Sequence, residues 1–242
     1  MNFYIKYIAL ASCVLPIIVL ADDRGSDLTG QIHLPEIENS LILVFQGAVN
    51  PKAAKGTAFF VTPDGIVVTA DHVITDDSGK VYPTLLGIRP KQPNSNVLHF
   101  EIVKRFSQDS IPRDIALLRI INKDTQNPFP FLTLSSKHAT DEAFMGKDVI
   151  MAGFPVIFGE VHSIPLFRKG IISSTRFNID NSPILILDLG SMGGFSGSPV
   201  ISMENGEVLG VVKGSSKSEP YSDFSVAFPI ASTDLNGIQT DE

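Results

Sequence analysis

The chain has 242 residues, 43% of them hydrophobic and 19% charged, a balance that fits a folded globular protein and excludes global disorder. Its 19 basic residues are outnumbered by 26 acidic ones and are scattered singly, so no basic stripe follows a phosphate backbone and nucleic acid is excluded as the expected partner. The one cysteine, Cys13, lies near the N-terminus; a chain trimmed past it has no disulfide and depends on packing.

In chain order the first element is a leader. Lys6 is followed by an almost wholly apolar stretch from Tyr7 to Ala21 that ends Val19-Leu20-Ala21, the pattern of a secretory signal peptide. Residues 1–21 are therefore expected to be removed, leaving Asp22 at the start of a mature domain, 22–242, that is periplasmic or secreted. The apolar stretch is shorter than the roughly 20 residues a bilayer requires and contains Pro16, so no stable membrane anchor is expected. Leu10-Ala11-Ser12-Cys13 resembles a lipidation box, but the residues after Cys13 stay apolar where a lipid-anchored chain turns polar.

Beyond the leader, short apolar runs recur: Leu41 to Phe45, Thr57 to Val61, Ile66 to Thr69, Val97 to Val103, Ile115 to Ile120, Val149 to Ala152, Gly170 to Ser173, Ile184 to Leu187, Val208 to Val212 and Phe224 to Phe228. They are rich in Val, Ile and Phe and are separated by turn signals such as Pro63-Asp64-Gly65 and Asn205-Gly206, which reads as an all-β fold. A polar, proline-bearing stretch from Ile121 to Ser136 divides them into halves, about 38–121 and about 137–230. The expected architecture is two packed antiparallel β-barrels, six-stranded each, with a cleft between them. No amphipathic helix of convincing length is expected, only a turn or two at Ile230 to Leu235.

Three residues have the chemistry of acyl transfer. Gly193-Gly194-Phe195-Ser196-Gly197-Ser198-Pro199 puts Ser196 in a glycine-rich bend, where the amides of Gly194 and Ser196 can converge on a developing oxyanion. The bland alternative for this segment is an ordinary Gly/Ser turn between strands. His72 ends the apolar run Ile66-Val67-Val68-Thr69-Ala70-Asp71 and is the candidate general base; a lone histidine after a strand is more often structural. Asp114 directly precedes Ile115-Ala116-Leu117-Leu118 and is the candidate orienting acid, with Asp109 its nearby competitor and a plain turn former its bland alternative. Together, in the order His, Asp, Ser, they suit a base and acid on one barrel facing a nucleophile on the other.

The segments Gly56-Thr57-Ala58-Phe59-Phe60-Val61, Thr69-Ala70-Asp71-His72, Asp114-Ile115-Ala116-Leu117-Leu118 and Gly194-Phe195-Ser196-Gly197-Ser198-Pro199 resemble the landmark motifs of trypsin-like serine peptidases. Gly146-Lys147-Asp148-Val149 through Gly153-Phe154-Pro155, and Gly170-Ile171-Ile172-Ser173, are similar to the bacterial HtrA/Deg and glutamyl-endopeptidase groups. The resemblance spans roughly Ser40 to Pro229. It implies the chymotrypsin-like double barrel and a serine endopeptidase acting on protein or peptide substrates, without a cofactor. Two departures stand out. Phe195 occupies the position before the nucleophile where the family usually has Asp or Asn, and the chain ends soon after Pro229, where HtrA-type proteins continue into a peptide-binding domain.

The resemblance also implies a specificity pocket with its floor at Gly190 and Ser191 and its opposite wall at Lys213 and Ser215, with Phe224 and Val226 behind. No carboxylate stands at its floor. Lys213 either turns inward and favours an acidic substrate side chain or points to solvent, the commoner place for a lysine. No metal is expected, because His33, His99, His138 and His162 show no ligand spacing. An α/β-hydrolase esterase is excluded, since no histidine follows Ser196. A catalytically silent, protease-like binding protein is the rival from another class.

Overall fold

A computed structural model describes residues 32–90, 97–122, 128–157, 160–214 and 223–238. The leader, residues 1–21, and the pocket residue Ser215 lie outside the described residues. Six strands close the first barrel: β1 (Leu41–Gln46), β2 (Ala54–Phe60), β3 (Ile66–Thr69), β4 (Leu85–Ile88), β5 (Leu98–Arg105) and β6 (Ala116–Ile120), in the order β1-β2-β3-β6-β5-β4. The second barrel takes β7 (Asp148–Gly153), β10 (Leu166–Ile179), β11 (Ser182–Leu187), β12 (Pro199–Ser202), β13 (Val208–Gly214) and β14 (Ser225–Pro229), in the order β10-β11-β14-β13-β12-β7. The strand pairings within both barrels are antiparallel. A two-stranded ribbon, β8 (Val156–Ile157) with β9 (Glu160–Val161), follows β7, and β9 packs against the 3-10 turn Pro51–Ala53.

The continuous apolar runs have a physical reason. Side chains alternate across a strand, and along β1 and β3 of the first barrel both faces are buried, whereas β5 alternates with His99, Glu101 and Lys104 exposed. Along β1, Ile42 and Val44 join Phe60, Val67, Leu98 and Leu118 in one apolar cluster. Leu41, Leu43 and Phe45 join a second cluster, to which Phe59, Val68 and Leu117 of this barrel and Ile150, Phe154, Val211 and Phe228 of the other contribute. A third cluster, including Met151, Leu185, Val200, Val212 and Ala227, belongs to the second barrel alone. A strand with water on neither face shows no polar alternation, which is why these segments read as solid hydrophobic runs.

Several elements depart from the sequence reading. A short helix, α1 (Leu34–Ser40), carries Pro35 in its first turn and buries Ile37; with seven residues it is too brief to show helical periodicity. β4, β8, β9 and β12 were not expected, and β10 begins at Leu166 rather than Gly170. Both named turns form, with Gly65 at φ +100 and Gly206 at φ +76. The expected C-terminal turn is a 3-10 helix, Ser232–Leu235.

That C-terminal turn ties the barrels together. Arg113, on the loop before β6, gives Nη1 and Nη2 to Asp234 at 2.9 and 2.7 Å, and Nη1 also reaches the Pro229 carbonyl at 3.2 Å. His138 meets the same carboxylate at 2.8 Å. Burial alone would push the Asp234 carboxyl up, but hydrogen bonds from His138, Arg113 and the Ala231 amide outweigh it and hold it far below the ordinary carboxylate range. A depressed folded-state value contributes stability that is present above the ordinary carboxylate range and lost as pH falls through it. Replacing Asp234 with Asn is therefore expected to cost about 2 kcal/mol at neutral pH, with the gap to wild type narrowing in acid. Urea unfolding of both proteins at pH 7 and about pH 3 checks this, and a pH-independent gap would contradict it.

Candidate active site

His72 is delivered by the end of β3. Ala70 leads into a one-turn 3-10 helix, Asp71–Val73, which lifts the imidazole out of the barrel with its side chain 47% exposed. The turn is held from behind by Asp71, whose two carboxylate oxygens receive Arg105 Nε and Nη2 at 2.6 and 2.7 Å. This bidentate pair is nearly buried and fixes the residue next to His72 against the end of β5.

Asp114 enters β6 from the Arg113 loop and meets His72 twice. Its Oδ1 accepts the His72 amide at 2.9 Å, and its Oδ2 lies 2.7 Å from His72 Nδ1. The carboxylate is 12% exposed. Burial pushes it up, yet the His72 hydrogen bonds and the nearby Lys213 charge hold it below its ordinary value. Asp109 is not at the imidazole; its carboxylate lies 3.5 Å from Lys104 Nζ.

Ser196 arrives from the second barrel. Phe195 is fully buried in that barrel's apolar cluster and anchors the bend from below. Gly194 and Gly197 have φ of +89 and +84, and a Cβ at either would strike backbone oxygen, Phe154 at 2.0 Å and Thr57 at 2.1 Å respectively. Glycine is required at both. Thr57 joins this bend to the first barrel: its hydroxyl donates to the Gly194 carbonyl at 2.8 Å and accepts from the Phe154 amide at 3.0 Å, and its own amide donates to the Ser196 carbonyl at 2.8 Å.

His72, Asp114 and Ser196 thus lie at one junction, with one difference in detail. The Ser196 hydroxyl donates to the Lys213 carbonyl at 3.2 Å, and no hydrogen bond to His72 is present among the described residues. Lys213 is neither free in solvent nor turned to the pocket floor: its ammonium is 3.6 Å from Asp114 Oδ2. His72, Asp114, Lys213 and Gly214 line a space of about 570 Å³ together with Thr75, Asp76, Asp77, Gly79, Ile179 and Val226. Gly190 is half-buried beside Ser191, whose hydroxyl is buried and without a hydrogen-bond partner. No cluster of metal-ligating side chains occurs among the described residues.

Sequence reasoning passed over Thr57, Asp71 and the Arg113–Asp234 pair. Thr57 and Asp71 stood inside the quoted motifs, beside the glycine and histidine that drew attention. Nothing in the sequence links Arg113 to Asp234.

A family model described as the trypsin-like peptidase domain matches residues 56–211. Among curated relatives, a protein named probable periplasmic serine endoprotease DegP-like from Pseudomonas putida is 27% identical over 168 residues, covering 64% of this chain and 28% of that protein. One of the same name from Chlamydia trachomatis is 28% identical over 173 residues, with 66% and 28% covered. The chain thus spans less than a third of the length of these relatives. Among solved structures, a serine endoprotease from Yersinia pestis superposes with a TM-score of 0.58 at 19% identity, covering 85% of this chain and 64% of that one. The MamO protease domain from Magnetospirillum magneticum gives 0.61 at 17%, covering 85% and 98%. The two six-stranded barrels match the chymotrypsin-like fold expected from the sequence, and the chain belongs to the trypsin-like peptidase domain family.

Proposed function

We propose that the chain is an exported serine endopeptidase with Ser196 as nucleophile, His72 as general base and Asp114 as the group that orients it. The observation that carries this reading is the double hydrogen bond from His72 to Asp114 on the first barrel, beside a serine held in a glycine bend of the second. Asp114 accepts Nδ1–H, which leaves Nε2 with the lone pair a base needs. Substrate binding moves the Ser196 hydroxyl from the Lys213 carbonyl to that nitrogen. His72 takes the proton as Oγ attacks the peptide carbonyl, then returns it to the leaving amine; water repeats the sequence on the acyl-enzyme. The Gly194 and Ser196 amides, which donate no hydrogen bond among the described residues, receive the oxyanion. No cofactor enters these steps.

Export rests on the leader at 1–21 and on relatives named periplasmic. Among the described residues no helix is long and apolar enough to cross a membrane. Ser196→Ala or His72→Ala is expected to lower kcat by several powers of ten while melting stays near wild type, and the wild-type rate is expected to fall on acidification as the base is protonated. Near-wild-type peptidase activity in either variant, or a rate indifferent to acid, contradicts the assignment.

Phe195 bears on activation. In resembling zymogens a new N-terminal ammonium pairs with an aspartate at this position; a phenylalanine buried in an apolar cluster accepts no such bond. A protein beginning at Asp22 is therefore expected to be active without further cleavage. Recovery of activity only after internal trimming, followed by N-terminal sequencing, would overturn this.

Specificity follows from the pocket floor. Gly190 and Ser191 offer no anion for a substrate Lys or Arg, and an unpaired charge there costs several kcal/mol. Cleavage is expected after small or medium apolar residues, with acidic residues second and basic ones last. Profiling on a peptide library checks the order; dominant cleavage after Lys or Arg refutes the pocket while leaving the triad intact.

A further inference from the structure

Lys213 is the extra residue of a β-bulge. On the β13–β14 ladder Val212 pairs with Ala227 and Gly214 with Val226, and the register shifts between them. Gly214, at φ +118, makes the turn that closes the bulge. Both ends of Lys213 therefore face the cleft. Its carbonyl holds the Ser196 hydroxyl, and its ammonium, over the Phe228 ring at 5.8 Å, stands 3.6 Å from Asp114 Oδ2. That oxygen is the one His72 Nδ1 meets at 2.7 Å.

We propose that Lys213 is a positioning residue of this site, its ammonium sharing Asp114 Oδ2 with His72 and thereby extending peptidase activity toward acid. The proposal rests on the peptidase reading above. The other charges around the pair are placed differently. Asp76 and the exposed Asp77 face the same space from the following turn, where Asp76 Oδ1 is taken up by Ser78 and the Lys80 amide. Behind His72, Asp71 is bound to Arg105. Behind Asp114, Arg113 is bound to Asp234, whose carboxylate His138 also meets. Lys213 is the cation placed within ion-pair distance of the Asp114 carboxylate among the described residues, apart from the imidazole itself.

A hydrogen-bonded carboxylate and imidazole take up protons as one coupled unit. A cation fixed beside the shared oxygen keeps the carboxylate ionised and makes each added proton less favourable. Because the Lys213 side chain is 43% exposed, solvent and salt weaken the effect without abolishing it.

The test is the pH dependence of kcat/KM on a peptide substrate for wild type, Lys213→Met, which keeps the stem and loses the charge, and Lys213→Arg, which keeps the charge. The acid limb of Lys213→Met is expected to move to higher pH by about half a unit at low salt. Lys213→Arg is expected to restore it, and the difference is expected to shrink in about 0.5 M salt. Lys213→Gln is a second neutral variant that carries the same comparison if the methionine variant melts early. Superimposable profiles, or equal shifts in the neutral and arginine variants, overturn the proposal while the peptidase reading stands. Absence of hydrolysis in wild type, indistinguishable from Ser196→Ala, overturns both.

Discussion

A serine hydroxyl is a poor nucleophile until a base stands within hydrogen-bond reach, and in the proposed triad the base and the hydroxyl come from different barrels. The constraint on which the site depends is therefore the fastening of one barrel to the other at Thr57. That residue is fully buried on β2 and receives or gives three hydrogen bonds across the junction, to Gly194, Ser196 and Phe154. Its own carbonyl accepts the Thr69 hydroxyl at 2.7 Å, at the end of the strand that delivers His72. The bend that bears Ser196 and the strand end that bears His72 are thus referenced to one backbone position. Valine at this position would fill nearly the same volume and lose every side-chain link.

Charge organises the rest. Two bidentate carboxylate–arginine pairs flank the candidate acid and base, Asp71–Arg105 behind His72 and Asp234–Arg113 behind Asp114. Each is close to fully desolvated, so removal of one partner strands a buried charge. Arg113 also stacks 4.4 Å over Phe106, whose carbonyl receives the Arg113 amide, so the loop bearing Asp114 is fixed to its own barrel as well as to the other. The serine side uses no charge: Phe195 in an apolar cluster and two glycines with positive φ shape the bend through packing and sterics.

The parts of the molecule legible in the sequence are those governed by local pattern. β1 and β3 are buried on both faces and read as unbroken apolar runs; His72, Asp114 and Ser196 sit at strand ends in motifs whose glycines and threonines are themselves structural. Where pattern fails, packing explains it. β4 contains Gly87, which as a weak strand former hid a four-residue strand, yet a Cβ there would meet Ile42 and Phe100 at 2.7 Å. β12 starts on Pro199 directly after the serine bend, and the first turns of β10 carry Arg168 and Lys169 on partly exposed faces. Arg113 and Asp234 meet only through the closure of the fold. The orientation of Lys213 is set by a bulge, and a bulge leaves no periodic signature in sequence.

The central claim is the proposal that Ser196 is the nucleophile, activated by His72. Its most direct measurement is peptide mapping by mass spectrometry after reaction of the folded protein with a fluorophosphonate, an electrophile that reports an activated serine by covalent capture. The account predicts a single adduct, on the peptide containing Ser196, formed far more slowly when His72 is replaced. An adduct on another serine, no adduct, or labelling of Ser196 at an undiminished rate without His72 would contradict it.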